Sequence, residues 1–316
     1  MKTIKSAAII GAGALGILYG DALKNAPGCD TYYLADGERY KRIKSGYFLV
    51  NNIPVNFNVK KPEDLAELPD LIIIAVKNHH LDSIIGLLDK VVHPETIIFS
   101  VLNGIDSEKF LEDNFPEAHV IYSVALGMDA VRESNQLTYS SRGKLLIGSK
   151  DNNRKNSELL ALGRLMDSCG LHFEIPEDIQ RSIWWKWMIN IGVNQVSAVT
   201  GATYGVFHTN PDIQALMEEA MLETIKVAQA SRIDLREEDI SNWYPILKGL
   251  GAGGKTSMLQ DIEAGRPTEA QWFSGRLITL AEELNIEVPI NRTLLRIIRV
   301  KEAVADSGPT APPFKL

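Results

Sequence analysis

SAAIIGAGALGILYGDAL, residues 6–23, reads as a strand, a glycine turn and a helix. Ser6 to Ile10 is a short run with the apolar bulk of a strand buried on both faces. Gly11, Gly13 and Gly16 follow at G-x-G-x-x-G spacing. The first permits a tight turn, the second lets a pyrophosphate approach the backbone, and the third lets helix and strand pack closely. A helix over 14–23 then points its N-terminus, at Ala14 and Leu15, toward the phosphates. Thr31 to Leu34 make a second strand, and Asp36 stands twenty residues beyond Gly16, where a carboxylate accepts hydrogen bonds from an adenosine ribose. The fold class is therefore α/β, opening with a Rossmann dinucleotide-binding domain. The Asp36 carboxylate repels the 2′-phosphate of NADP, whereas Arg39, Lys41 and Arg42 attract it. NAD(H) and NADP(H) both stay open as cofactors.

Further along, 47–50 and 55–59 flank Asn51-Asn52-Ile53-Pro54 and read as a small hairpin inserted in the sheet region. Residues 71–76 and 96–102 are two more buried strands, ending at Lys77 and at Asn103-Gly104. Ligands in open α/β sheets bind beyond such carboxyl ends. The plainer readings are a solubilising strand exit and a turn. His79 and His80 are adjacent, without a third ligand at a recognisable spacing, and read as helix-surface residues rather than metal ligands. Strands over 120–126, 137–140 and 145–147 are expected to complete the sheet. A helix over 156–169, a strand over 171–174 and Pro176 then lead to a second domain, giving expected domains of 1–175 and 176–316. Everything beyond is helical in pattern, with helices over 211–231, 237–250, 268–284 and 291–304, and SGPTAPPFKL at the end reads as a loose tail.

Length and composition agree. A chain of 316 residues exceeds the usual single core, and 45% hydrophobic with 23% charged residues is ordinary for a globular protein. A net charge of -7 excludes a polybasic nucleic-acid or membrane binder. Two cysteines, Cys29 and Cys169, suit a reducing compartment and form neither a disulfide framework nor a zinc site. Lys2 and Lys5 before an apolar run imitate a secretory signal, but the three glycines interrupt it. No run approaches the roughly 20 apolar residues needed to span a bilayer. The expected setting is cytoplasmic.

SIWWKWMINIGVNQVSAVT, residues 182–200, carries Lys186, Asn190 and Asn194 at intervals of four among tryptophans and β-branched residues. At about 100° per residue these three fall on nearly one helical line. The apolar flanks leave little solvent for that stripe, so Lys186 points into a cleft or core, where an ammonium needs partners or a job. The plainer reading is a lysine reaching the surface, with two asparagines bonding nearby loops. Further on, GLGAGGKT, residues 249–256, satisfies the phosphate-loop pattern G-x-x-x-x-G-K-[ST]. No buried strand precedes it and none ending in Asp follows, so an NTPase is set aside.

Taken together, GAGALG at 11–16, AVKN around Lys77, LNGI around Asn103, WWKWMINIGVN at 184–194, SMLQDIEAGRPTE at 257–269 and the final helical segment resemble the ketopantoate reductases, 2-dehydropantoate 2-reductases of pantothenate synthesis. The resemblance covers almost the whole chain. It implies a Rossmann domain joined to an all-helical domain, with substrate in the cleft between them. It makes Lys186 the general acid and gives Glu269 the task of holding the lysine or the substrate hydroxyl. Asn190 and Asn194 would bind substrate polar groups, and Ser257 the substrate carboxylate. Asn103 would position nicotinamide and substrate, and Lys77 would lie near the cofactor. The implied reaction is hydride transfer to a small branched 2-oxo acid, with no metal. Asp36 departs from the pattern, because the family usually has there an arginine suited to the NADP phosphate. NAD-dependent D-2-hydroxyacid dehydrogenases of the same structural family, acting on branched or aromatic 2-oxo acids, fit Asp36 better. A dinucleotide sensor with a structural Lys186 is the alternative of another class. The expected partners are the small 2-oxo acid and a second copy of the chain as a homodimer, with no nucleic acid and no membrane.

Overall fold

The computed structural model describes residues 2–306, so the tail expected at 307–316 lies outside them. The chain divides into two compact units between Ile183 and Trp184, within the helix Ile179–Ile189.

The first unit is built on an eight-stranded sheet. From edge to edge its strands are Phe173–Glu174, Lys144–Gly148, His119–Leu126, Ile97–Ser100, Leu71–Ile74, Ser6–Ile10, Asp30–Leu34 and Val59–Lys60. Every neighbouring pair is parallel except Lys144–Gly148 against His119–Leu126. The two-residue period sends Ala7, Ile9, Leu71, Ile73 and Phe99 into one core and Ala8, Ile10, Ile72, Ile74 and Ile98 into another on the opposite face. Burial on both faces is why these strands read as unbroken apolar runs. Helix Ala14–Leu23 covers the first face through Ile17, Leu18 and Leu23.

Two expectations about this unit need correction. The strands Phe48–Val50 and Ile53–Val55 pair through a turn at Asn51 and Asn52, both at positive φ, so Ile53 and Pro54 belong to the second strand rather than to the turn. Asparagine tolerates the left-handed region, which lets a two-residue turn close at once. Nor does the 131–140 region complete the main sheet. Val131–Glu133 and Gln136–Thr138 join the hairpin in a separate four-stranded sheet. Of the residues expected in the hairpin's return strand, Val59 instead pairs with Asp30–Leu34 in the main sheet.

The second unit is helical throughout its described residues. Asn210 caps Pro211–Ala230 by accepting hydrogen bonds from the N–H groups of Asp212 and Ile213 at 2.9 and 3.1 Å, with Pro211 at the first position, where no donor is lost. Buried Glu223 caps Pro289–Asp306, accepting from the N–H groups of Ile290 and Asn291 at 2.8 and 2.9 Å. The helix expected over 268–284 is broken. A short turn, Ala270–Trp272, precedes Ser274–Glu283, and Phe273 lies outside helical backbone space. The break has a cause, because the Trp272 carbonyl accepts from Trp187 Nε1 at 2.9 Å and Ser274 Oγ donates to Asn291 at 2.7 Å. GLGAGGKT connects the helices Glu238–Gly249 and Ser257–Glu263, with Thr256 capping the second and Lys255 paired to Glu263 at 2.7 Å. With a helix before it, this segment lacks the strand a phosphate loop requires.

Candidate functional site

In the first unit the expected cofactor residues gather at the carboxyl ends of parallel strands. Gly11 has φ +108°, and a Cβ there would stand 2.5 Å from the Ala75 carbonyl oxygen; a Cβ on Gly16 would stand 1.9 Å from the Gly11 carbonyl oxygen. Both positions exclude a side chain. At Gly13 the nearest atom to such a Cβ is 3.6 Å away, leaving room above the turn. Gly13 is also the N-cap of Ala14–Leu23 and supplies no side-chain cap, so N–H groups of the first turn are left for an external acceptor. This arrangement fits a pyrophosphate. Asp36 begins Gly37–Ser45 in extended conformation without capping it, and its half-buried carboxylate has no hydrogen-bond or ion-pair partner among the described residues. Arg39 bonds Ser83 at 2.9 Å and Lys41 bonds Glu38 at 2.6 Å.

Lys77 and Asn103 leave the neighbouring strands Leu71–Ile74 and Ile97–Ser100. Buried Asn78 joins the two exits, its Nδ2 donating to the Asn103 carbonyl at 2.9 Å. His79 and His80 are exposed on a short helical turn. Among the described residues no group of three metal-ligating side chains is assembled.

In the second unit, Lys186, Asn190 and Asn194 ride on one helical path that continues from Ile179–Ile189 to Gln195–Thr200 and ends at Gly201, φ +76°. It is not the regular α-helix expected from the spacing, because Asn190–Asn194 adopts a π-helical turn. The wider ring frees carbonyls from the i→i+4 ladder, and the Gln195 side chain donates to the Ile191 carbonyl at 2.9 Å. Gly192 presses this turn onto Pro211–Ala230: a Cβ there would stand 2.6 Å from Met221 Cγ and 3.0 Å from the Met217 carbonyl oxygen. Gly192→Ala is accordingly expected to destabilise the protein by about 2 kcal/mol through overpacking. Urea denaturation reads this directly, and an unchanged midpoint would show that the contact yields at no cost.

Lys186 is partly buried, and its ammonium has no hydrogen-bond or ion-pair partner among the described residues. Loss of water around it lowers its pKa from the ordinary lysine value. Asn190 and Asn194 are buried, and Nδ2 of Asn190 is a buried donor without an acceptor among the described residues. The contact from Asn194 Nδ2 to Asn190 Oδ1 is long, 3.4 Å. Polar groups left in this state cost stability unless something else uses them. Ser257 is exposed at the start of Ser257–Glu263, which packs on the π-helical turn. Glu269 begins the turn that Trp187 holds through Trp272. Among the described residues no ion pair joins Glu269 to Lys186.

Comparison with known proteins accounts for both halves. The family model described as ketopantoate reductase PanE/ApbA matches residues 7–152, and its C-terminal counterpart matches 178–302. The chain belongs to the ketopantoate reductase family. Members of that family are nicotinamide-dependent oxidoreductases. A 2-dehydropantoate 2-reductase of Pyrococcus horikoshii is 28% identical over 94% of this chain and 97% of that protein. One from Archaeoglobus fulgidus is 26% identical over 93% and 97%. Among solved structures, the dimeric ketopantoate reductase of Staphylococcus aureus covers 94% of this chain and 99% of its own at 26% identity, with TM-score 0.79. A D-mandelate dehydrogenase solved with NADH is 21% identical, covers 94% and 99%, and has TM-score 0.83, a likeness of fold alone.

Within this ketopantoate reductase fold, three polar residues near the site carry no signal in their spacing. Asn78 is visible only once two strand ends are neighbours. Gln195 matters because of the π-helical turn, which no periodicity announces. Arg132 donates through Nη1 to the Ala12 carbonyl inside the glycine loop, across a sequence separation that only the small sheet closes.

Proposed function

We propose that this member of the family reduces a small branched 2-oxo acid, 2-dehydropantoate, to its D-hydroxy acid, D-pantoate. The observation that carries the proposal is the desolvated, unpaired ammonium of Lys186 on the same helical path as the unsatisfied buried amide of Asn190. A bound reduced nicotinamide supplies a hydride to the ketone carbon. As negative charge builds on the ketone oxygen, Lys186 stabilises it and then gives up a proton from Nζ. Its lowered pKa makes that proton easier to release. Asn190 and Asn194 orient the oxygen-bearing groups of the substrate, and the Ser257 hydroxyl takes its carboxylate. Glu269 holds the substrate hydroxyl. Gly11, Gly13, Ala14, Leu15 and Gly16 receive the dinucleotide, with Asp36 at its adenosine ribose and with Lys77 and Asn103 at the strand exits. The dimeric Staphylococcus aureus relative supports a homodimer.

A second reading, an NAD-dependent D-2-hydroxyacid dehydrogenase for other branched or aromatic 2-oxo acids, is favoured by the unpartnered Asp36 carboxylate. Steady-state assays of NADPH and NADH against 2-dehydropantoate and other branched and aromatic 2-oxo acids separate the two. The highest kcat/KM is expected with 2-dehydropantoate. A higher value with an aromatic 2-oxo acid would replace the first reading by the second, and turnover of none would remove both.

A further inference from the structure

Beside the π-helical turn lies a buried polar network that the proposed reaction does not use. Gln195, Asn291 and Ser274 are fully buried, and Glu223 nearly so. Asn291 Nδ2 donates to Glu223 Oε2 at 2.8 Å and to the Ala220 carbonyl at 3.1 Å, while its Oδ1 accepts from Ser274 Oγ at 2.7 Å. The first turns of Ser274–Glu283 and Pro289–Asp306 are thereby tied to the middle of Pro211–Ala230, and Asn291 is satisfied without Gln195. Nε2 of Gln195 stands 3.5 Å from Asn291 Oδ1, at the limit of a hydrogen bond. Its firm hydrogen bond runs along its own helical path instead, from Nε2 to the Ile191 carbonyl at 2.9 Å. Oε1 of Gln195 is a buried acceptor with no donor among the described residues.

A buried amide used at one end only costs stability, and an apolar side chain of the same length would fill the space without that cost. Turning the amide over would set Oε1 against the Ile191 carbonyl oxygen, so the donor end fixes its orientation. What the amide adds is a link from position 195 back to 191, inside the π-helical turn Asn190–Asn194. Such turns are rare because the i→i+4 ladder competes with them. The two ladders place residues four apart at different angles about the axis, so relaxation to the ordinary helix would rotate Asn194 relative to Asn190. In the turn as it stands the two amides lie side by side, with Asn194 Nδ2 3.4 Å from Asn190 Oδ1. Resting on the proposed reduction of a 2-oxo acid, we infer that Gln195 is a positioning residue: its amide braces the π-helical turn so that Asn190 and Asn194 meet the substrate together. Gly192 against Met221 holds the same turn from outside, and Gln195 holds it from within.

Gln195→Met in the full chain tests the assignment, because it keeps the length and removes both the donor and the unpaired oxygen. Its urea midpoint is expected to stay close to that of the wild type, one buried hydrogen bond being lost together with one unsatisfied acceptor. KM for the preferred 2-oxo acid should rise about 10-fold, with kcat within about 3-fold, the mark of weakened substrate binding. In a protein already carrying Asn190→Ala and Asn194→Ala, adding Gln195→Met should change KM by less than about 2-fold, since a residue acting through the asparagines has nothing left to act on. Amide hydrogen exchange across 190–196, measured without substrate, should quicken by about 10-fold in Gln195→Met. A variant that fails to fold, or that folds and keeps the wild-type KM, would make Gln195 a structural residue and overturn the assignment. A full 10-fold rise in the background lacking both asparagines would overturn it too. Failure of the wild type to reduce any 2-oxo acid would remove the functional reading, whereas unchanged exchange in Gln195→Met would remove the brace alone.

Discussion

Replacing Lys186 with alanine is expected to lower kcat for 2-oxo acid reduction by about 10²- to 10⁴-fold, the usual contribution of a positioned general acid, while leaving dinucleotide affinity unchanged. The two readouts separate because Lys186 and the glycine loop belong to different units of the chain. Lys186 ends in a desolvated ammonium without a partner among the described residues, so the alanine variant breaks no ion pair seen there. The pH dependence gives a second, independent signature. Reduction consumes the lysine proton, so the rate should fall as pH rises through the lowered Lys186 pKa. Oxidation of the hydroxy acid needs the neutral amine and should rise over the same range. In Lys186→Ala both limbs should be absent. A folded Lys186→Ala protein that keeps more than a tenth of wild-type kcat, with its alkaline limb intact, would remove the lysine from the chemistry.

How much of this site could be read from the residues follows from the range of the interactions involved. Gly11, Gly13 and Gly16 are legible because the turn, the close approach and the helix packing are local, and each fixes a residue type. The central strands are legible because burial on both faces leaves an apolar run with no polar interruption. What escaped depends on contacts distant in sequence. The small sheet pairs Phe48–Val50 with Gln136–Thr138, and nothing within either segment specifies the other. The break at Phe273 needs Trp187 and Asn291 as outside partners. The Lys186, Asn190 and Asn194 stripe was legible as a pattern but not as a geometry. An α-helical period places three polar groups in line, whereas the protein opens the path into a π-helical turn where Gly192 meets Met221. Such turns often mark functional sites, and here the turn carries buried Asn190, whose Nδ2 has no acceptor among the described residues.

Glu108→Gln is expected to flatten the stability profile of the protein between pH 4.5 and 7. Glu108 lies in the first turn of Ser107–Asn114, just after the Asn103 strand exit, and is 3% exposed. Burial pushes its carboxyl up from the ordinary 4.5 to about 7, against the opposing pull of its own N–H, of the Ser107 hydroxyl and of the Ser123 N–H; the nearby Asp106 charge adds to the rise. Ser107 Oγ donates to its Oε2 at 3.0 Å. Because the folded-state pKa is raised, the native state binds the proton more tightly than the unfolded chain does. The stability this contributes is fully present below pH 4.5 and is lost as pH rises through about 7. At about 1.4 kcal/mol per pH unit, the loss amounts to about 3 kcal/mol. Glutamine keeps the size and an oxygen acceptor for Ser107 but cannot ionise. Urea denaturation at pH 5 and pH 8 should therefore find Glu108→Gln more stable than wild type at the higher pH by up to about 3 kcal/mol, with the advantage shrinking or reversing at the lower. Subtracting the two proteins at each pH cancels every other titrating group. If the difference between them is the same at both pH values, Glu108 does not change its ionisation across this range. If it shifts as expected, a buried acid five residues beyond Asn103 loses its proton near neutrality.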